Sequence, residues 1–302
     1  MIAMTRRQLA LGMLLLGTSA TALQLPGLGS LGAAPAKGPL AGVRVSRVGG
    51  GEVDLGAELG QGATKKLLVL GTYAADFNAI EYGQKVSHYL PELEAKGVDR
   101  VLLVLNAEPE ACKAFAEYLD LPAKVELLSD PEGTAGRAFG VSRGWLPDNE
   151  DVSPYLKLFG MLWGLGAGGT LPSVIAGYVG NPWGESAWIE SALAQGQRRG
   201  RWPDNALDLD GDGAVARNAF DELPVVGGWG RRPLELATLR LQNMLGLSLG
   251  EWEALRPSDA RLSTLTQLGG CVAVDENGET AYEWRDTGIC GVAKFEDILE
   301  AL

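Results

Sequence analysis

The chain reads as an α/β protein: a sheet flanked by helices, with a large, mainly helical insertion before a closing hairpin and helix. Three observations predict this. Short, nearly continuous apolar runs alternate with helix-period segments from Lys65 to Phe139. That alternation then stops from Trp145 to about Leu262. Strand signals return at Cys271–Val274 and Ala281–Trp284, separated by the hairpin-turn pair Asn277-Gly278.

The elements follow in order. Gly42–Val48 alternates in the manner of a first strand. Lys65–Tyr73 is apolar enough for a strand covered on both faces. Phe77–Lys96 is a helix whose Tyr82, Val86, Tyr89, Leu90 and Leu93 share one stripe, with Pro91 predicting a kink or break near Leu90. Arg100–Asn106 and Lys124–Ser129 are further parallel strands, Glu110–Leu119 and Thr134–Phe139 further helices, and Phe295–Leu302 the last helix. The organisation expected is an export signal over 1–22, a flexible linker over 23–40, and one domain over 41–302 with its insertion at 145–262.

Composition removes several function classes. Hydrophobic residues make up 46% and charged residues 21%, enough apolar content for a real core. The net charge of −12 argues against nucleic acid as a partner, and the clusters Arg198–Arg201 and Arg231–Arg232 read as solvated faces. Three cysteines without a CxxC spacing exclude a disulfide framework and a dithiol motif. His88, the one histidine, is expected on an exposed helix face, and no His/Cys cluster has zinc spacing.

The first residues read as an address. Arg6-Arg7, the short apolar run Leu9–Leu16 and the small-x-small site Ala20-Thr21-Ala22 are the parts of an export signal. Thr5–Leu11 also resembles the twin-arginine pattern that carries folded proteins across bacterial and thylakoid membranes.

Several segments carry chemistry. Asn78 and Glu81 have the spacing of a capping box, which places Glu81 in the first helical turn, facing the positive end of the helix dipole. A general-base role for Glu81 is the other reading. Cys271 opens a strand after Gly269-Gly270 and is either a small core hydrophobe or a redox thiol. Cys112 shares a helix face with Phe115 and Leu119 and reads as core, while Cys290 lies in a Gly288–Gly291 turn and is more exposed. A Cys271–Cys290 disulfide is open in an oxidising compartment. Asp208, Asp210, Asp212 and Gly213 match the first half of an EF-hand calcium loop, but Ala219 stands where its bidentate glutamate belongs. Leu158–Gly180 carries no charge over 23 residues and holds seven glycines and Pro172. It reads as a helical hairpin, buried or facing a protein partner, or as a membrane-contact surface.

Leu67–Glu81, LPELEAKGVDRVLLVLNAEPEACKAFAEYLDL and Ser129–Val141 together resemble the AhpC/TSA-type peroxiredoxins. Gln267–Asp286 is similar to the closing hairpin of that superfamily's peroxiredoxin-like branch, and Arg232–Met244 resembles a stretch of its photosynthetic-lineage members. The resemblance implies a thioredoxin-like fold and peroxiredoxin-type redox chemistry. It also implies a peroxidatic cysteine at the helix start, where DFNAIEYGQ has Glu81, and Gly71–Lys85 contains no cysteine. The function expected is therefore a binding or assembly module. A thiol antioxidant using Cys271 or another displaced cysteine and an acidic calcium-responsive exported protein are the alternatives. No cofactor is expected apart from calcium, and the compartment is a thylakoid lumen or chloroplast in a phototroph, otherwise a periplasm.

Overall fold

A computed structural model describes residues 38–179, 187–201, 207–212, 214–225, 227–228 and 239–302. The export signal, Gly180, Gly213 and Arg231–Arg232 lie outside the described residues.

A seven-stranded sheet has the order β2-β1-β5-β4-β3-β8-β9. Its centre is the parallel set β3 (Lys65–Leu70), β4 (Val98–Leu105) and β5 (Val125–Ser129). β8 (Gly270–Val274) pairs antiparallel with β3, and β9 (Thr280–Arg285) antiparallel with β8. β1 (Arg44–Arg47) and β2 (Glu52–Asp54) close the far edge, β1 antiparallel to β5. The mixed sheet with helices on both faces is thioredoxin-like.

Side-chain alternation along the strands makes two cores. Leu67, Val69, Leu103 and Leu105 face α2 (Phe77–Ala95) and α3 (Pro109–Tyr118). Leu68, Leu70, Leu102 and Val104 face α1 (Leu55–Gly60) and α4 (Thr134–Phe139). Neither β2 nor α1 is anticipated by periodicity, because each is short. The start of α1 is fixed by Asp54, whose Oδ1 accepts from the Ala57 N–H at 2.9 Å. Leu40, expected in the linker, is buried in the second core.

Two expectations for α2 are corrected. The helix runs unbroken through Pro91, which lies on its exposed side, where loss of one backbone hydrogen bond is compensated by solvent. The helix also begins earlier than the capping box requires. Asp76 is the N-cap, so Asn78 is the second helical residue and Glu81 the fifth. No acid stands in the first turn, and the capping role for Glu81 falls.

The insertion packs onto the α2 face. It contains α5 (Pro154–Leu162), α6 (Thr170–Val174) running into a π-turn (Ile175–Val179), α7 (Ala187–Arg198), α8 (Leu241–Ser248) and α9 (Trp252–Leu255). The uncharged run is thus a helical pair around a glycine-rich turn. An unexpected hairpin joins β6 (Leu207–Leu209) to β7 (Val215–Asn218). Helix α10 (Phe295–Ala301) closes the chain against α2.

Candidate functional site

In this fold the mouth of α2, beside the start of β8, is where a helix dipole would stabilise a thiolate. Because α2 starts at Phe77, that place is held by Asp76–Asn78, one turn before Glu81. Asn78 is fully buried and fully engaged. Its Nδ2 donates to Asp286 Oδ2 at 2.7 Å and to the Gly288 carbonyl at 3.1 Å. Its Oδ1 accepts from the Cys290 N–H at 2.6 Å. One turn on, the Tyr82 hydroxyl donates to Asp286 Oδ1 at 2.6 Å and accepts from the Ala293 N–H at 3.2 Å. Asn78, Tyr82 and Asp286 therefore sew the start of α2 to the segment after β9.

Burial is the main electrostatic fact here. It pushes the Asp286 carboxyl up to about 7; the Tyr82 and Asn78 hydrogen bonds oppose it and the nearby Asp76 charge adds to it. Asp76 is pushed up to about 6, again by burial, opposed by Thr72 and by the Phe77 and Asn78 N–H groups. The Tyr82 hydroxyl is raised well above its usual value by burial and then by Asp286. Gly269 is required by the same close approach: a Cβ there would lie 2.9 Å from Asp286 Oδ2 and would clash with the Leu70 carbonyl. The Gly269-Gly270 pair thus brings the end of β9 up against the mouth of α2.

The thiols take three positions, and none is in a disulfide, so Cys271 and Cys290 are not joined. Cys271 lies in β8 opposite Val69, fully buried. Burial raises its thiol well above the usual value, Asp286 adds to this, and Lys85 opposes it. Cys112 is core as expected, with its thiol pushed up to about 12 by burial. Cys290 is half-buried in a left-handed backbone conformation, φ 62°, and its amide is tied to Asn78.

Glu81 lies in a second buried cluster. Its carboxylate takes Arg240 at 2.7 Å and Lys85 at 3.0 Å, with all three side chains nearly inaccessible. Arg240 also donates to the Gly177 carbonyl at 2.7 Å, and Lys85 to the Ala293 carbonyl at 3.1 Å. Both cations lie over the Trp188 ring, 4.7 Å and 4.9 Å from its centroid. Glu81 is thus the anchor between α2 and the insertion, where sequence spacing suggested a cap or a base. The exposed face expected for His88 is half-covered by α7, with Nδ1 2.8 Å from Ser191 Oγ.

The acidic loop forms the tip of the β6–β7 hairpin. Asp210 Oδ1 accepts from the N–H groups of Asp212 and Ala214, both at 2.9 Å, and Asp208 pairs with Arg217 at 3.2 Å. A strand follows where an EF-hand has a helix. Among the described residues no group of three or more His, Cys, Asp or Glu side chains is placed to hold a metal. Arg199 and Arg201 are taken up by Asp120 and the Tyr118 carbonyl.

The insertion presents the opposite kind of surface. Tyr155, Leu156, Phe159, Leu162 and Trp163 all stand exposed, from 46% for Tyr155 to 66% for Trp163. Leu165, Leu171 and Ile175, in and after the glycine-rich turn, are exposed as well. The charged residue of α5, Lys157, is turned inward instead. Among the described residues no helix is long and apolar enough to cross a membrane.

A thioredoxin-like sheet flanked by helices is the architecture of a peroxiredoxin-like class of protein. The family model for AhpC/TSA antioxidant enzymes matches residues 85–288, more than half of the chain, and the protein belongs to that family. The match opens at Lys85, after the mouth of α2. No curated protein matches the sequence.

Proposed function

We propose that this chain is a peroxiredoxin-like protein without a peroxidatic cysteine, working as a binding or assembly module through its insertion. One observation carries the reading. The position where a peroxidatic thiolate would be stabilised is filled by Asp76 and by Asn78, whose amide is locked by hydrogen bonds to Asp286 and Gly288. A carboxylate and an amide cannot supply the sulfur nucleophile. The deciding experiment is peroxide consumption by the purified protein with a thiol reductant. No turnover above the buffer rate is expected, and turnover abolished by a single Cys→Ser change would overturn the reading.

One observation favours a second reading, a thiol antioxidant. Cys290 is the least buried cysteine, and its backbone is held at the mouth of α2 by Asn78. Under that reading Cys290→Ser, rather than Cys271→Ser, removes peroxide turnover. We also propose export directed by Met1–Ala22 through the twin-arginine route and membership of the photosynthetic-lineage branch, on the strength of the signal pattern and of Arg232–Met244. N-terminal sequencing of protein from its source tests the export: a retained Met1 would overturn it.

A further inference from the structure

We infer that the α5–α6 ridge is a lipid-facing surface that seats on an electrically neutral, zwitterionic bilayer. The inference rests on the reading that the insertion carries the binding function.

The first support is the inverted pattern of α5. Tyr155, Leu156, Phe159, Leu162 and Trp163 fall at i, i+1, i+4, i+7 and i+8, one stripe of the helix, and that stripe faces out. The inner side holds Lys157, Gly160 and Met161. Gly160 lets α5 settle onto Trp145, since a Cβ there would lie 2.6 Å from that ring. The core side of the helix is thus Lys157, Gly160 and Met161, with Leu158 half-buried beside them, and five large side chains are left facing out. A contiguous patch of this kind marks a protein or membrane contact.

Length and charge choose between occupants. The side chains of the stripe stand about half exposed or more along the helix. Helix α5 has nine residues, about 13 Å of length, too short to cross a bilayer but enough to lie along one. Trp163 and Tyr155 have apolar rings with polar tips, suited to the headgroup boundary. The run from Leu158 to Gly180 carries no charge, and the exposed acids Glu150 and Asp151 precede it in a chain of net charge −12. Anionic lipid would be repelled. A second copy would bring the same acids and the same net charge into a two-fold contact. Zwitterionic lipid meets the uncharged patch without that repulsion.

The test uses the full chain and phosphatidylcholine vesicles, with and without brominated acyl chains, which quench indole fluorescence on contact. Residues 1–37 contain no tryptophan, so insertion of the Leu9–Leu16 run is silent in this readout. Bromolipid quenching is expected in the parent and should be mostly lost in Trp163→Phe, which still sediments with vesicles. Phe159→Asp with Leu162→Asp should lower vesicle binding at least tenfold at an unchanged melting temperature. Binding should persist in high salt and weaken as phosphatidylserine is added. Equal quenching in Trp163→Phe, or unchanged quenching in the double variant, would overturn the inference. If vesicles are not bound but the double variant abolishes self-association or capture of a protein partner, the binding-module reading stands and the lipid inference falls. If the double variant fails to fold, the ridge is internal and both fall.

Discussion

The mouth of α2 and the α5 ridge are opposites. At the mouth, polar side chains are buried and each is committed: Asn78, Tyr82 and Asp286 use their hydrogen-bonding atoms on one another and on the 288–293 backbone. On the ridge, apolar side chains are exposed, and their ring contacts, Tyr155 with Trp252 and Phe159 with Trp163, leave them about half open. A site that turns over substrate needs an open place for a reacting atom, and a site that binds a partner needs surface not used for folding. The difference teaches that the buried polar atoms at the mouth are committed to holding the fold together, while large exposed apolar side chains gather on α5.

The comparison predicts its own breaking points. The largest effect should come from Glu81→Ala, which leaves Arg240 and Lys85 buried beside Trp188 without their carboxylate. A loss of about 3–5 kcal/mol is expected by urea denaturation, because breaking a buried pair leaves uncompensated charge. A loss below about 1 kcal/mol would mean that solvent reaches the cluster and that charge does not anchor the insertion.

Tyr82→Phe should cost less, about 1–3 kcal/mol, by leaving Asp286 short of one donor in a buried place. The same network predicts a pH dependence. Asp286 and Asp76 titrate near 7 and 6 when folded, above the ordinary carboxylate value, so the folded state binds more protons than the unfolded chain. Their contribution is fully present below about pH 4 and is lost as pH rises through 6 to 7. Asp286→Asn should flatten that part of the stability profile, measured as denaturation midpoints from pH 4 to 8. His88 acts with the opposite sign and less strongly, since burial lowers its value: its contribution is present above pH 6.5 and is lost as pH falls. His88→Gln should remove that smaller slope.

The smallest stability effect belongs to the ridge. Phe159→Ser should change unfolding free energy by no more than about 0.5 kcal/mol, as expected for an exposed side chain. A cost above about 2 kcal/mol would place Phe159 in a core and erase the contrast between the two regions.

Much of this was legible in the sequence where period and burial agree. β3, β4, β5, α4 and the β8–β9 hairpin come directly from apolar runs and turn chemistry. The candidate site was less legible, because it is made by long-range pairing. Asn78 and Glu81 have capping-box spacing, yet Asp76 starts the helix and both side chains turn to partners more than 150 positions away: Asp286 for Asn78 and Arg240 for Glu81. Nothing local marks Asp286 or Arg240 as those partners. The acidic loop shows the same limit, since its spacing matches a calcium loop while its amides fold it into a hairpin turn.

The sheet order has a kinetic consequence. β3 is central, and one of its two neighbours is β8, which follows the whole insertion. Closing that pair ties a loop of about two hundred residues, at an entropic cost that grows only with the logarithm of length. The equilibrium penalty is therefore modest, but the search is slow, as in other folds dominated by distant contacts. During synthesis β3, β4 and β5 can assemble early, while the free edge of β3 stays unpaired until residue 274 has left the ribosome. A strand edge waiting that long is a site for chaperones or for aggregation, and truncation anywhere before β8 should yield insoluble chain.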